Sequence, residues 1–192
     1  MLLYGKLLRI KENKIIPEEK CINISDSVKI RLRVSLKKYR LALIADNVVL
    51  KEYRVYLGHS SNKMAALRNG YVTTPVGKYK ITSIDTNKLF FLQIDLNYPN
   101  SEDIKTAFKN HFISKEEFTR LWRKINKNES FKFDKKIFGS KISIEGYGKL
   151  NYILENLPFV FNWTNGSIAL SNEDIAEITK FIKIGTEVKI AE

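Results

Sequence analysis

The sequence predicts a mainly β, α+β domain with a helical insertion and a C-terminal helix. Three observations predict it. Apolar and polar residues alternate through the first half of the chain, the period of half-buried strands. Between about 101 and 127 the apolar spacing becomes helical. Near the end, a cap-like Ser171-Asn-Glu-Asp174 segment opens another helical stretch before a last alternating run.

The elements follow in order. Lys29 to Leu36 alternates strictly, with Ile30, Leu32, Val34 and Leu36 on one face. Arg40 to Ala45 is a short apolar strand, and Asp46-Asn47 supplies turn chemistry. Val48 to Leu57 returns as its partner, with Tyr53, Val55 and Leu57 on one face, and Gly58 ends it. His59 to Tyr71 reads as a polar loop. A turn at Thr74-Pro75-Val76-Gly77 leads into a strand over Lys78 to Ile84, and Phe90 to Leu96 forms another. In the insertion Ile104, Ala107 and Phe108, then Phe118, Leu121, Trp122 and Ile125, recur at helical spacing. Ser114-Lys-Glu-Glu117 has the pattern of a capping box for the second helix. Asn126 to Lys141 reads as basic loop. Strands are predicted at Ile142 to Ile144 and Phe159 to Phe161, and a helix from Ser171 to about Ile182. Gly185 stops that helix, and Thr186 to Ile190 is a final strand. Residues 1–27 form an N-terminal extension and 28–192 the domain.

Composition removes several classes. The chain has 192 residues, 44% of them apolar, enough to bury a core without staples. Its single cysteine, Cys21, excludes an internal disulfide framework. With His59 and His111 the only histidines, little material remains for a zinc or iron site, and no cofactor is implied. No apolar run approaches the roughly 20 residues needed to span a bilayer. The N-terminal MLLYGKLLRIKENK is broken by Lys6 and Arg9 before a signal-peptide core can form, which leaves a cytoplasmic location open. The formal net charge of +12 attracts polyanions, so an anionic polymer is one candidate partner.

Phosphate loops, GxSxG elbows and HExxH helices are all missing. Two segments nevertheless combine tight turns with reactive side chains. In Trp163-Thr-Asn-Gly166-Ser167-Ile-Ala-Leu-Ser-Asn172, a glycine and a small hydroxyl residue precede an apolar run and a helix cap. Glycine permits close backbone approach, and adjacent amides could hold an oxyanion. In Ile142-Ser-Ile-Glu145-Gly146-Tyr147-Gly148, a strand ends in a carboxylate and two glycines. Taken alone, both also read as ordinary turns.

Together with other blocks, they resemble the L,D-transpeptidase catalytic-domain family of bacterial cell-wall enzymes. The resemblance spans roughly 28–190. It begins with a hairpin at Lys38 to Leu43 and Lys51 to Gly58. The family's T-P-x-G-x-Y/F-x-I block is matched by Thr74 to Ile81, and Y-P-N-x-x-D by Tyr98 to Asp103. Its I-x-I-H-G-x-G strand end is matched by Ile142 to Gly148. W-T-x-G-C-I-A-L-x-N is matched by Trp163 to Asn172, and G-T-x-V-x-I by Gly185 to Ile190. The order and combination of the blocks carry the resemblance. It implies a β-sandwich or barrel fold, a location in the cell envelope or periplasm, and binding of peptidoglycan stem peptides or a cell-wall protein. In the family a cysteine attacks the carbonyl preceding a terminal D-alanine, a histidine moves the proton, and an acceptor amine takes the acyl group.

Both chemical positions depart from that pattern. Ser167 stands at the cysteine position and Glu145 at the histidine position. A thiol is already a few per cent ionised at neutral pH, whereas a serine hydroxyl requires a general base. Glutamate, with an ordinary pKa of about 4.3, is a poor base for an alcohol. The resemblance therefore implies a degenerate transpeptidase that binds without turnover. The alternatives are an acyl-transferase or carboxypeptidase using Ser167 with Glu145, and a basic polyanion-binding module. Around these two, Gly146, Tyr147, Gly148, Trp163, Thr164 and Gly166 are the expected substrate-binding residues. Tyr147 is the candidate exposed aromatic for ligand contact. Trp163 reads first as a packed anchor and second as a substrate platform. Thr164 reads as a local side-chain to backbone bond. The helices of the insertion are expected either to flap over the cleft or, more simply, to dock on the sheet.

Overall fold

The computed structural model describes residues 28–58, 73–127, 129 and 131–192. Cys21, the N-terminal extension and the His59 to Tyr71 segment lie outside the described residues.

Among the described residues, eight strands form one sheet: β1 (Ile30–Ser35), β2 (Arg40–Ala45), β3 (Val48–Arg54), β4 (Gly77–Asn87), β5 (Phe91–Leu96), β6 (Ser143–Gly146), β7 (Ile168–Leu170) and β8 (Glu187–Ala191). Their spatial order is β3-β2-β1-β8-β4-β5-β6-β7. The two ends nearly meet. Just past β3, Tyr56 pairs with Ala169 of β7 through two backbone bonds of 2.9 Å. This bridge bends the sheet toward a barrel and limits its open edge.

The predicted alternation sets the inner face. Leu32, Val34, Leu41, Leu43, Tyr79, Ile81, Ile94, Ile144, Ile168 and Val188 are fully buried in one apolar core. The outer face of β1, β8 and β4 is basic: Arg33 is in register with Lys189, which pairs with Lys78.

The insertion contributes α1 (Ser101–Lys109) and α2 (Lys115–Asn126). Their stripe docks on the core through Ile104, Ala107 and Leu121 and does not flap over the cleft. Phe118 stacks between Phe108 and Trp122, at ring distances of 4.7 and 5.6 Å. A full capping box forms at Asn100, not at Ser114. The Asn100 side chain accepts from Glu102 and Asp103 amides, and the Asp103 carboxylate accepts from the Asn100 amide at 2.8 Å. Ser114 and Ser171 cap through their hydroxyls, accepting from Glu117 and Asp174 amides. Asp103 also accepts from the Tyr79 hydroxyl at 3.3 Å, so the T-P-x-G-x-Y and Y-P-N-x-x-D blocks meet inside the core. Burial raises the Tyr79 and Tyr98 phenols far above their usual range, and the Asp103 charge adds to it.

Three expectations are corrected. The basic segment before Lys141 contains a one-turn helix, α3 (Lys135–Phe138), capped by Asp134 and anchored by buried Phe138. Phe159 to Phe161 is not a strand. The Arg54 guanidinium bonds the carbonyls of Leu157 and Phe159, so side chains satisfy groups that a neighbouring strand would have taken. The last helix, α5 (Asn172–Thr179), ends before Ile182. There the Lys180 and Phe181 amides turn to carbonyls three residues back, tightening and closing the helix. Between β6 and β7 lie a 3₁₀ turn (Gly148–Leu150) and α4 (Asn151–Leu154).

Candidate active site

Parallel pairing of β6 and β7 brings the two predicted segments together: Ile144 is in register with Ile168, and Glu145 with Ala169. The same offset sets Ser143 beside Ser167 at the head of β7. The isoleucines face the core, so the period of two turns Ser143, Glu145 and Ser167 to the opposite face.

Three side chains form one hydrogen-bonded line. Ser167 Oγ lies 3.2 Å from Ser143 Oγ and accepts from the Ser143 amide at 3.4 Å. The Ser143 hydroxyl donates to Glu145 Oε1. An ionised carboxylate can only accept, so the single Ser143 proton is committed to Glu145. The Ser167 proton is then shared between the Ser143 oxygen and the Glu145 carboxylate. The line runs Ser167 O–H to Ser143 O–H to Glu145. Both serines are buried and Glu145 is half-buried. Burial pushes the Glu145 carboxyl above its ordinary value; hydrogen bonds from Ser143 and Ser167 oppose this, and the charge of Asp95 adds to it. Nothing in the spacing singles out Ser143. Its signal is its position two residues before Glu145, on the same strand face.

The turn that presents Ser167 is built by its neighbours. Thr164 Oγ1 donates to the Ser167 carbonyl at 2.5 Å, the local bond expected of it. Gly166 adopts φ +100°, and a Cβ there would lie 2.7 Å from the Thr73 carbonyl oxygen. Thr74 Oγ1 accepts from the Gly58 amide at 2.9 Å, tying the T-P block to the end of the first hairpin. The Trp163 amide donates to the Leu57 carbonyl at 3.0 Å.

Tyr147 is not an exposed ligand contact. It is buried, edge-on to Tyr56 at 5.5 Å, in a small second cluster with Leu154 and Ala169. Trp163 packs against that cluster, 6.4 Å from the Tyr56 ring. Gly146 and Gly148 are packing positions. A Cβ on Gly146 would meet the Phe90 carbonyl at 2.5 Å. Gly148 has φ +56°, and its Cβ would fall 1.7 Å from the Leu89 carbonyl oxygen. The Asn172 side chain clamps this turn, accepting from the Gly148 amide and donating to its carbonyl. His111 sits in the exposed connection between α1 and α2 and takes no part in the line. Among the described residues, no three His, Cys, Asp or Glu side chains gather as a metal site. No described helix is long and apolar enough to cross a membrane.

The sheet is mixed and nearly closed, and a crossover of one 3₁₀ turn and α4 joins the carboxylate end of β6 to the hydroxyl turn before β7. Residues 29–190 match the YkuD family, the L,D-transpeptidase catalytic domain, and the chain belongs to that family. Solved structures agree on the fold. A point mutant of the helical cell shape determining protein Pgp2 from Campylobacter jejuni superposes with TM-score 0.54 at 18% identity, covering 87% of this chain and 48% of that one. Bdellovibrio bacteriovorus Bd1075 gives TM-score 0.51 at 15% identity, covering 88% and 50%. This chain thus spans about half the length of these two structures. No curated protein matches it.

Proposed function

We propose that this domain binds peptidoglycan stem peptides in the bacterial cell envelope without turning them over. The Ser167–Ser143–Glu145 line is the observation that carries the reading. It sets an alcohol at the family's nucleophile position and an acid at its base position, with a second alcohol between them. Proton transfer from an alcohol to a carboxylate is strongly uphill, and each pKa unit of mismatch costs about 1.4 kcal/mol. An ordinary carboxylate, at about 4.3, lies well below the pH-7 optimum for a base acting on a serine, and burial narrows that gap by raising Glu145. A tetrapeptide stem ending in D-alanine should bind without losing that residue. Incubation followed by mass spectrometry tests this: stoichiometric binding with no D-alanine release supports it, and steady release refutes it. Titration of isolated sacculi at several salt concentrations separates groove binding from attraction to the basic sheet face. Retention that falls steeply with salt, and equally with DNA, identifies the polyanion module instead.

The same line favours one second reading. A continuous donor chain ending on a raised carboxylate is the arrangement a serine acyl-transferase or carboxypeptidase would use. Its signature is a covalent adduct on Ser167, carrying the stem less D-alanine, in the same mass spectrum.

A further inference from the structure

The outer face of β1, β8 and β4 is built in rows, because residues in register across neighbouring strands point the same way. One row runs Arg31, Glu187, Lys80. Its charges alternate, with an acid on the middle strand between two cations. The next row, two residues along each strand, runs Arg33, Lys189, Lys78. Here the middle residue is a third cation. All three side chains are exposed, and among the described residues no ion pair neutralises any of them. Lys189 and Lys78 stand directly opposite each other in an antiparallel pair, an arrangement that costs stability. Two strand spacings set the ends of the row about 10 Å apart.

At Arg33 the row meets a depression of about 270 Å³. Small residues, Ser35, Ala42 and Ala191, line it, and with Arg33 stand two further cations, Lys38 and Arg40. Glu52 and Glu192 also line it, but Glu192 is paired with Lys37 at 3.7 Å. Cations therefore outnumber acids in the depression as they do along the row. Guanidinium forks match phosphate oxygens in pairs, and ammonium groups serve as point charges beside them. An anion over Lys189 would take the place that Glu187 holds in the neighbouring row. The row and the depression together call for several anions in succession, which one small ion does not supply. None of these rows carries an aromatic ring on which a base could stack, nor a large apolar side chain to enter a bilayer.

We propose that this face docks a linear phosphate polymer, with successive phosphates on Lys78, Lys189 and Arg33 and one more in the depression beside Lys38 and Arg40. It is a second surface, separate from Ser143, Glu145 and Ser167, and it does not rest on the stem-peptide reading.

Fluorescence anisotropy with labelled inorganic polyphosphate, run on the full chain at several salt concentrations, tests it. Lys189→Glu gives this row the alternation of its neighbour. It should weaken polyphosphate binding about tenfold or more and lower the salt slope by about two, since each lost phosphate contact removes about one. Lys127→Glu makes the same charge change at an exposed position after α2 and should weaken binding about twofold or less. Equal weakening by the two variants reduces the face to general attraction and overturns the proposal. Lys189→Glu should melt at or above the wild type, because it exchanges like-charge neighbours for opposite ones. Arg33→Gln with Lys78→Gln removes the two ends of the row without adding an acid and should weaken binding likewise, even if the glutamate variant misfolds. Single-stranded oligothymidylate of equal phosphate count should compete about equally, which assigns recognition to the phosphates. A preference of about tenfold or more for the DNA would assign it to bases and overturn the proposal. Binding to phosphatidylglycerol vesicles without binding to polyphosphate would overturn it in favour of a bilayer. Binding of a tetrapeptide stem should be the same in Lys189→Glu and wild type, so either reading can fail while the other stands.

Discussion

The Ser143 and Ser167 hydroxyls face each other across β6 and β7 at 3.2 Å, and the Ser143 proton is already engaged by Glu145. Ser143 is therefore the link that couples the two positions singled out by the family pattern. Its hydrogen bond is also the leading influence holding the Glu145 carboxyl down against burial. Ser143→Ala should raise the Glu145 pKa further. Carboxyl-carbon NMR titration of wild type and variant measures this directly. An unchanged or lowered value would show that the line is not formed. Leaving the Ser167 hydroxyl without this partner should also cost about 1–3 kcal/mol in urea unfolding.

Glu145 should make stability fall as pH rises. Its folded pKa lies above the ordinary carboxylate value, so the native state binds its proton more tightly than the unfolded chain does. The resulting cost is absent below the unfolded pKa, near 4.3, and is complete above the folded one. Glu145→Gln removes the charge. Its Tm relative to wild type should therefore be higher at pH 7 than at pH 4. A difference independent of pH counts against a raised carboxyl.

Restoring the family's reactive groups should separate scaffold from chemistry. In Ser167→Cys alone, the neighbouring Glu145 carboxylate disfavours the thiolate, so alkylation at pH 7 should be slow. Adding Glu145→His replaces that charge with an imidazole, and alkylation should accelerate by about tenfold or more. D-alanine release from a tetrapeptide stem should rise with it. The unmodified chain reports the background from Cys21. Equal thiol reactivity in the single and double variants would show that position 145 does not act on position 167.

Most of the sheet was legible because its inner face obeys strict alternation, as in Leu32, Val34 and Leu36. The pairing of the Glu145 and Ser167 segments was legible only through the family pattern, since parallel strands are joined by long range and no local signal sets their register. Phe159 to Phe161 misled because its alternating aromatics mimic a strand, whereas Arg54 and Tyr56 both donate to the Phe159 carbonyl. Tyr147 misled for a related reason. Flanking glycines suggest exposure, but here they let backbone approach closely while the ring turns inward on Tyr56. Ser143 was invisible because a serine beside a carboxylate acquires meaning only when Ser167 arrives from another strand.

Two glycines, one in the site and one remote from it, make a graded test of that close approach. Gly148 and Gly185 both have positive φ, +56° and +89°. A Cβ at Gly148 would overlap the Leu89 carbonyl, while at Gly185 nothing lies within 4 Å. Gly185→Ala should therefore cost only the left-handed penalty, about 1–2 kcal/mol. Gly148→Ala adds a steric clash with main chain and should cost clearly more, up to failure to fold. Urea unfolding, or soluble yield where unfolding cannot be followed, ranks the two. Equal losses would mean that the turn between β4 and β5 does not pack against the Gly148 turn.

A buried charge pair between β3 and α5 offers a final test of how the C-terminal helix is held. Lys51 of β3 and Glu177 of α5 form an ion pair with side chains only 6% and 18% exposed, and Lys51 Nζ lies 4.8 Å from the Tyr53 ring centroid. Removing one partner strands the other charge away from water. Glu177→Gln should therefore destabilise by about 3–5 kcal/mol. Replacing both with Met exchanges two desolvated charges for apolar volume, and most of that loss should return. A double-mutant cycle in urea measures the coupling. Additive losses would show that the pair does not bind helix to sheet, and α5 would then depend on Ile175 and Ile178, both fully buried in the core, to hold Asn172 over the Gly148 turn.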